Sequence, residues 1–223
     1  MPVPYEWNLD GKTAIITADR RGWTPILASA LAEAGADVVV AGPDISERDE
    51  SVRAVEKHQR RSLSIDADST DVKSVNKAVR DVIATFGRID ILVNNAQIEF
   101  AKPFPEVTEI EWQQLIDFNV KSMFLLSQSV GKLMIDQNKG RIVNMCSGLA
   151  SRGLSNSVVY CVTQGAVRQM TSALAIEWAK SNQLSPAIGH RLDVYQSFIQ
   201  AFEKTILANW KIDTSWRIPA AQR

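Results

Sequence analysis

Short apolar runs rich in β-branched residues alternate with longer amphipathic stretches over most of this chain. The short runs are almost unbroken, which is typical of parallel strands covered on both faces. They predict five strands, at residues 13–17, 37–41, 62–66, 89–95 and 141–145.

The longer stretches carry their apolar residues at helical spacing. They predict helices at residues 25–35, 71–87, 108–137 and 157–181, with 108–137 forming either one long helix or a broken pair. Strands that alternate with helices are joined by right-handed crossovers and form a parallel sheet. The predicted fold class is therefore α/β, a doubly wound parallel sheet between two layers of helices.

The alternation stops after Lys180. Residues 181–223 contain no convincing buried strand, although residues 194–210 predict one amphipathic helix. Because the chain shows no internal repeat and no interdomain linker, we expect a single domain over residues 1–223. Its C-terminal segment, from about residue 181, is atypical.

Composition and charge narrow the possible functions. The chain has 25 basic residues (lysine and arginine) and 25 acidic residues (aspartate and glutamate), so its net charge is zero. We therefore expect no nucleic-acid partner. The sequence has no apolar signal core and no run long enough to span a membrane, so we expect a cytoplasmic protein without a membrane partner. The two cysteines, Cys146 and Cys161, suit a reducing compartment and indicate no metal site.

The first strand-to-helix turn is the place where a doubly wound sheet binds the pyrophosphate of a dinucleotide. Glycines let the backbone approach the phosphates there, and the helix N-terminus offers free N–H groups. This turn reads "TADRRGWT", residues 17–24, and holds a single glycine. Alone, it does not distinguish a phosphate site from an ordinary charged loop. Its candidate cofactor contacts are Thr17, Arg20, Arg21, Gly22 and Trp23.

Several motifs in a fixed order add weight to the dinucleotide interpretation. "GKTAIIT" opens the pattern, "DSTD" follows the third strand, "NNA" ends the fourth, and Asn119 lies in "FNV". "GRIVNMCS" then leads to Ser147, and Tyr160 follows in the next helix. In order and spacing, residues 8 to about 180 resemble the short-chain dehydrogenase/reductase family, whose members have a Rossmann-type sheet and move a hydride between NAD(P)(H) and a carbonyl or alcohol.

The resemblance implies a role for each matching residue. Asp68, with Ser69 beside it, matches the residue that contacts the adenine ring, and Asn94 and Ala96 match the turn beside the ribose. Four further residues match catalytic positions. Ser147 matches the serine that hydrogen-bonds the substrate oxygen, and Tyr160 matches the tyrosine that acts as acid/base. Asn119 matches the asparagine that holds a relay water, and Gln164 stands at the position of the family's lysine.

Structural interpretations of the same residues stay open. Asp68 could cap the helix that begins near Asp71, and Asn94 could satisfy buried backbone at a strand end. Asn119 could bond backbone at a helix kink, and Trp23 could be a packing residue rather than a cofactor contact.

Gln164 is the first departure from the family pattern. Free tyrosine has a pKa of about 10, and a nearby cation typically lowers a pKa by about 1–3 units. Glutamine can bond a ribose hydroxyl but supplies no charge, so the tyrosine loses that help. Carbonyl reduction, which needs only a protonated tyrosine, would suffer less than alcohol oxidation.

Three further departures concern the cofactor and the C-terminus. Ala18 and Thr24 stand where the family has glycine, and Ala18 would be strained if its position needs a positive φ. Gly42 and Pro43 end the second strand without an acid for NAD or a base for NADP. The strand that the resemblance places before residues 185–189 is shortened or missing, and the chain looks cut before a last strand.

The sequence thus predicts an NAD- or NADP-dependent oxidoreductase acting on a carbonyl/alcohol pair of a small molecule, with weak activity. The alternative is a catalytically silent relative that serves as a binding or assembly subunit. The resemblance also implies a homodimer or homotetramer that associates through the helices at residues 108–137 and 157–181.

Overall fold

The computed structural model describes residues 8–18, 22–178 and 184–187. Six parallel strands form one sheet in the order β3-β2-β1-β4-β5-β6. The strands are β1 (Thr13–Thr17), β2 (Asp37–Gly42), β3 (Ser62–Asp66), β4 (Ile91–Asn94), β5 (Gly140–Asn144) and β6 (Leu184–Ala187). The sheet order reverses direction between β1 and β4, which is the crevice where this architecture binds ligands.

Within the described residues, six α-helices connect the strands. They are α1 (Trp23–Glu33), α2 (Ile45–Glu56), α3 (Val72–Phe86), α4 (Glu109–Ile116), α5 (Ser122–Asp136) and α6 (Val158–Trp178). A π-helical turn, Asp117–Lys121, joins α4 to α5 without a gap, so the predicted 108–137 segment is helical throughout residues 109–136. Such turns are frequent at functional sites.

Alternate residues of the central strands pack into two separate hydrophobic cores. Ile15 and Val39 pack with residues of α3 and α5, whereas Ile16 and Val40 pack with residues of α1 and α2. Because successive side chains of a strand point to opposite faces, the two cores mark the two faces of the sheet. Helices therefore cover both faces, as the sequence predicts.

The sequence leaves open whether the strand near residue 185 is shortened or missing, and the structure shows a short strand there. Residues 184–187 form β6, a parallel strand in register with β5, with Gly140 opposite Leu184 and Val143 opposite Ala187. The strand "LSPA" has little apolar signal and contains Pro186. Proline is tolerated at the edge of a sheet, and β6 lies at the end of the strand order. The helix predicted at 194–210 lies outside the described residues.

Among the described helices, none is both long and apolar enough to span a bilayer.

Candidate functional site

The predicted catalytic residues come together near the carboxyl ends of β4 and β5. Ser147 begins a short 3₁₀ turn, Gly148–Ala150, just after β5, and Tyr160 lies on the first turn of α6. Leu149, two residues after Ser147, packs against the small cluster that contains Tyr160. The fold therefore places the serine turn beside the tyrosine.

Tyr160 is almost fully enclosed, with 5% of its surface exposed. Its ring belongs to an apolar cluster with Leu115 and Val159, against which Phe100, Val107 and Leu149 also pack. Its hydroxyl donates a hydrogen bond to Oε1 of Gln97 at 3.3 Å. The ring of Tyr160 is thus held by apolar side chains, and its hydroxyl makes a polar contact.

Gln164 is completely buried and turns toward the serine. Its Oε1 accepts a hydrogen bond from the backbone N–H of Ser147 at 2.7 Å, and its Nε2 donates to Oγ1 of Thr163 at 3.4 Å. The hydroxyl of Ser147 accepts from the backbone N–H of Leu149 at 3.2 Å. Gln164 therefore fixes the backbone that carries Ser147.

Asn119 lies within the π-helical turn and is 1% exposed. Its Oδ1 accepts from the N–H of Ile98 at 2.7 Å, and its Nδ2 donates to the carbonyl of Ile98 at 2.9 Å and to Oγ1 of Thr163 at 3.2 Å. These bonds join the loop after β4 to α6. They match the backbone-bonding interpretation of Asn119, while its role in holding a relay water stays a prediction.

The "NNA" turn is held by buried polar groups. The Nδ2 of Asn94 donates to Oδ1 of Asn144 at 2.6 Å and to Ser127 at 3.1 Å, which ties β4 to β5 and α5. The hydroxyl of Thr17 accepts from the N–H groups of Asn95 at 2.8 Å and Ala96 at 2.9 Å. Thr17, Asn94 and Ala96 thus shape the switch-point crevice through bonds within the protein.

The turn after β1 leads into an α1 N-terminus without a side-chain cap. Gly22 has a φ of 82°, the left-handed region that glycine reaches without strain, and makes no side-chain cap bond. Trp23 packs against the core shared by α1 and β2. The buried hydroxyl of Thr24 accepts from Nδ2 of Asn95 at 3.2 Å, so it faces the "NNA" turn. Arg20 and Arg21 lie outside the described residues.

The strain expected at Ala18 is absent. Among the described non-glycine residues, positive φ values occur at Gln59, Asn138 and Asn156, and Ala18 is not one of them. Its N–H donates to the carbonyl of Ala41 at 2.9 Å, as the neighbouring strand requires. A Cβ added to Gly42 would lie 2.6 Å from the Cβ of Ala18, so Gly42 supplies the space that the Ala18 methyl fills.

We expect the Gly42→Ala substitution to lower the free energy of unfolding by about 1–3 kcal/mol, because overpacking at a rigid contact forces the two strand ends apart. Adding Ala18→Gly removes the opposing methyl and restores most of that loss. Urea unfolding of the single and double variants measures the coupling. Strictly additive effects would contradict a direct contact between these two positions.

Asp68 and Ser69 lie at the outer end of the crevice, after β3. The exposed Asp68 carboxylate accepts from the N–H and the hydroxyl of Thr70 at 2.8 and 2.7 Å. The cap of α3 is Asp71, whose carboxylate accepts from the N–H of Ser74 at 2.8 Å. Asp68 therefore does not cap α3 and stays available as the predicted adenine contact.

Two pKa shifts occur around the site. Burial raises the pKa of the Cys146 thiol, an effect that Arg168 partly offsets, so this cysteine stays a neutral thiol. Hydrogen bonds from Lys102 and then from Thr108 lower the pKa of Glu111 to about 2. Glu111 thus stays ionised and ties the loop after β4 to the start of α4.

Sequence reasoning did not identify Gln97 and Arg48. Gln97 directly follows the "NNA" motif and contacts Tyr160, and a bulky amide in that turn was the available signal. Arg48 is 6% exposed, and its guanidinium donates to the Gly42 carbonyl and, at 3.0 Å, to Ser64. It places a positive charge at the carboxyl ends of β2 and β3.

The described residues suit a dinucleotide better than a metal ion. The N-terminus of α1 lies at the switch point, where the partial positive charge of a helix N-terminus favours phosphate. Beside it, the buried Oδ1 of Asn95 has no hydrogen-bond partner in the described part of the chain. Within residues 8–18, 22–178 and 184–187, histidine, cysteine and carboxylate side chains form no group of three that could hold a metal.

A comparison with known protein families settles the membership. Residues 12–187 match the family described as short chain dehydrogenase. The chain belongs to the short-chain dehydrogenase/reductase family. The catalytic roles of Ser147 and Tyr160, and the match of Gln164 to the family's lysine, stay predictions.

Relatives within the family support the same assignment. The chain is 39% identical over 177 residues to 2-dehydro-3-deoxy-D-gluconate 5-dehydrogenase of Dickeya dadantii, covering 79% of this chain and 69% of the relative. A gluconate 5-dehydrogenase from Burkholderia cenocepacia, solved with NADP and tartrate, is 31% identical with a TM-score of 0.74, covering 80% of this chain and 69% of that one. An NAD⁺-bound xylitol dehydrogenase is 27% identical with a TM-score of 0.73, covering 79% and 68%.

Proposed function

We propose that this protein is an NAD(P)-dependent oxidoreductase that interconverts a carbonyl and an alcohol on a small molecule. The observation that carries the proposal is the enclosed Tyr160, whose hydroxyl acts as a hydrogen-bond donor beside the Ser147 turn. Membership in the family and relatives solved with NADP or NAD⁺ support it.

The side chains around the substrate oxygen have separate roles. Bound NAD(P)H supplies the hydride. Tyr160 gives its hydroxyl proton to the oxygen as the carbonyl is reduced, and it takes the proton back in alcohol oxidation. The Ser147 hydroxyl donates a hydrogen bond to the same oxygen and stabilises the charge that develops on it. Gln164 holds the Ser147 backbone in place through a 2.7 Å bond.

We propose a polyhydroxylated keto or hydroxy acid as the substrate class. The support is the printed activities of the relatives, which include 2-dehydro-3-deoxy-D-gluconate 5-dehydrogenases and gluconate 5-dehydrogenases. A panel of keto sugar acids, with simple ketones as the control group, tests this assignment through initial rates of cofactor oxidation.

Cofactor binding tests the proposed function. NADH and NADPH are titrated separately into the purified full chain, and bound cofactor is followed by its fluorescence and by calorimetry. We expect saturable binding of at least one of them below millimolar concentration. Absence of binding at millimolar concentrations of both would overturn the oxidoreductase assignment and would favour a binding or assembly subunit.

We also propose that the chain self-associates through α5 and α6. Large apolar side chains are exposed there, including Phe124, Val162 and Ile176, and Ile176 is 76% exposed. Met170, Leu174 and Trp178 line a groove between the two helices. We expect a dimer or tetramer in analytical ultracentrifugation and a smaller species for Ile176→Lys. A monomeric wild-type protein would contradict the proposal.

A further inference from the structure

Gln97 reaches the reactive end of Tyr160 from the turn after β4. The glutamine is 5% exposed, as is the tyrosine, so neither polar group is well solvated. The Oε1 of Gln97 lies 3.3 Å from the hydroxyl oxygen of Tyr160, and its Nε2 contacts the backbone carbonyl of Met145. One side chain therefore links the tyrosine to the end of β5.

These contacts fix the orientation of the amide and the position of the proton. A backbone carbonyl can only accept hydrogen bonds, so the NH₂ group of Gln97 must face Met145. Its Oε1 then faces Tyr160, and this oxygen can also only accept. Tyr160 must be the donor in this contact, which requires the neutral, protonated hydroxyl.

We propose that Gln97 is a positioning residue that keeps the Tyr160 hydroxyl protonated and so favours carbonyl reduction over alcohol oxidation. This inference rests on the proposed function, in which Tyr160 is the proton donor. A tyrosinate would face the Gln97 oxygen as a second acceptor and would lose the bond, so the contact stabilises only the neutral form. Without a lysine at position 164, nothing in the "YCVTQ" segment supplies the opposing cation.

Reduction uses the proton that Gln97 retains. The O–H bond of Tyr160 breaks and its proton moves to the substrate oxygen, while the carbonyl carbon receives the hydride of NAD(P)H. Solvent then returns a proton to the tyrosine. The 3.3 Å contact is longer than an ordinary O–H···O hydrogen bond of about 2.5–3.0 Å. A substrate oxygen can therefore replace Gln97 as acceptor without a large penalty.

Other titratable and charged groups lie on the elements around Tyr160. The elements packed around Tyr160 are the loops after β4 and β5, α4, the π-helical turn and α6. Their titratable and charged side chains are Glu99, Lys102, Glu106, Glu109, Glu111, Asp117, Lys121, Cys146, Arg152, Cys161, Arg168 and Glu177. A change confined to Gln97 leaves all of them in place, so it isolates the effect of the amide.

The ionisation of Tyr160 can be measured directly, because the chain has few tyrosines. It contains 3 tyrosines, Tyr5, Tyr160 and Tyr195, so Tyr5→Phe with Tyr195→Phe leaves Tyr160 as the single tyrosine. In this parent, ¹³C at the tyrosine Cζ reports ionisation by NMR, with no cofactor or turnover required. Gln97→Met keeps the volume and removes the acceptor, and we expect tyrosinate to form about 0.4–1 pH unit lower than in the parent.

Two further variants complete the design. Gln97→Asn keeps an amide that is one methylene too short to reach Tyr160, and we expect the same downward shift. Gln164→Met removes a buried amide that bonds Ser147 instead, and we expect no shift. An unchanged or higher midpoint in both Gln97 variants, or an equal shift in Gln164→Met, would overturn the proposal.

Steady-state kinetics test the role of Gln97 independently of the NMR titration. In the otherwise wild-type protein, we expect Gln97→Met to lower the ratio of kcat for reduction to kcat for oxidation, each at saturating substrate and cofactor and neutral pH, by about threefold to tenfold. An unchanged ratio would contradict the directional role. If no variant turns over any substrate, the proposed function fails, whereas the NMR titration still decides the role of Gln97.

Discussion

Replacing Tyr160 with phenylalanine is expected to lower kcat for carbonyl reduction by about 10²–10⁴-fold, because general acid catalysis contributes on that order. The substitution removes the only atom of Tyr160 that can give a proton, and it leaves the ring to fill the cluster with Leu115 and Val159. Steady-state rates with a saturating keto acid and NAD(P)H measure the effect.

Cofactor affinity and folding serve as the controls for Tyr160→Phe. Loss of the hydroxyl bond to Gln97 is expected to cost about 0.5–1.5 kcal/mol of unfolding free energy, too little to unfold a typical domain. We expect NAD(P)H to bind with nearly unchanged affinity. A variant that keeps more than a tenth of the wild-type kcat would show that Tyr160 is not the proton donor.

Gln164→Lys is expected to raise alcohol oxidation relative to carbonyl reduction by at least tenfold. A cation one helical turn after Tyr160 stabilises the tyrosinate that oxidation requires, and such a neighbour typically shifts a pKa by about 1–3 units. The same change removes the acceptor for the Ser147 N–H and buries an ammonium group. We therefore expect a lower unfolding free energy together with the gain in oxidation.

Gln164→Met separates these two consequences. Like lysine, methionine cannot accept the Ser147 N–H bond, but it carries no charge. We expect Gln164→Met to lose about 1–3 kcal/mol of stability without any gain in oxidation. Equal oxidation-to-reduction ratios for the lysine and methionine variants would show that charge at this position does not limit the tyrosine.

The central sheet could be predicted from the sequence because its strands are buried on both faces. β1 and β2 are nearly continuous apolar runs, and their spacing to the following helices leaves few alternatives. The sequence leaves open whether residues 108–137 form one helix or a broken pair. Apolar spacing continues across the π-helical turn, so periodicity alone does not locate it.

Two elements could not be predicted, for different reasons. The inner face of α2 includes Glu47, Arg48 and Ser51, so a search for apolar spacing finds no helix there. Asp44, which caps α2 through bonds to Ser46 and Glu47, was the available signal. β6 is short and contains Pro186, and its pairing with β5 comes from the tertiary fold rather than from its own residues.

In the candidate site, too, some features could be predicted from the sequence and others could not. Motif order predicts Ser147, Tyr160 and Asn119 as site residues. The structure packs Leu149, from the turn that begins at Ser147, against the cluster containing Tyr160, and Asn119 bonds Thr163 on the same helix as Tyr160. Side-chain direction could not be read from the sequence. Gln164 turns to the Ser147 backbone, and Gln97 contacts the tyrosine hydroxyl. Those directions depend on packing between elements that are distant in sequence.

Transfer of deuterium from cofactor to product is the decisive test of the proposed oxidoreductase activity. NADH or NADPH carrying two deuterium atoms at C4 of the nicotinamide is incubated with the protein and a keto sugar acid, so that transfer of either C4 hydrogen delivers the label. The product is analysed by mass spectrometry. We expect one deuterium on the new carbinol carbon with the wild-type chain and a strongly reduced yield with Tyr160→Phe. Product without deuterium, or equal labelling by both proteins, would contradict it.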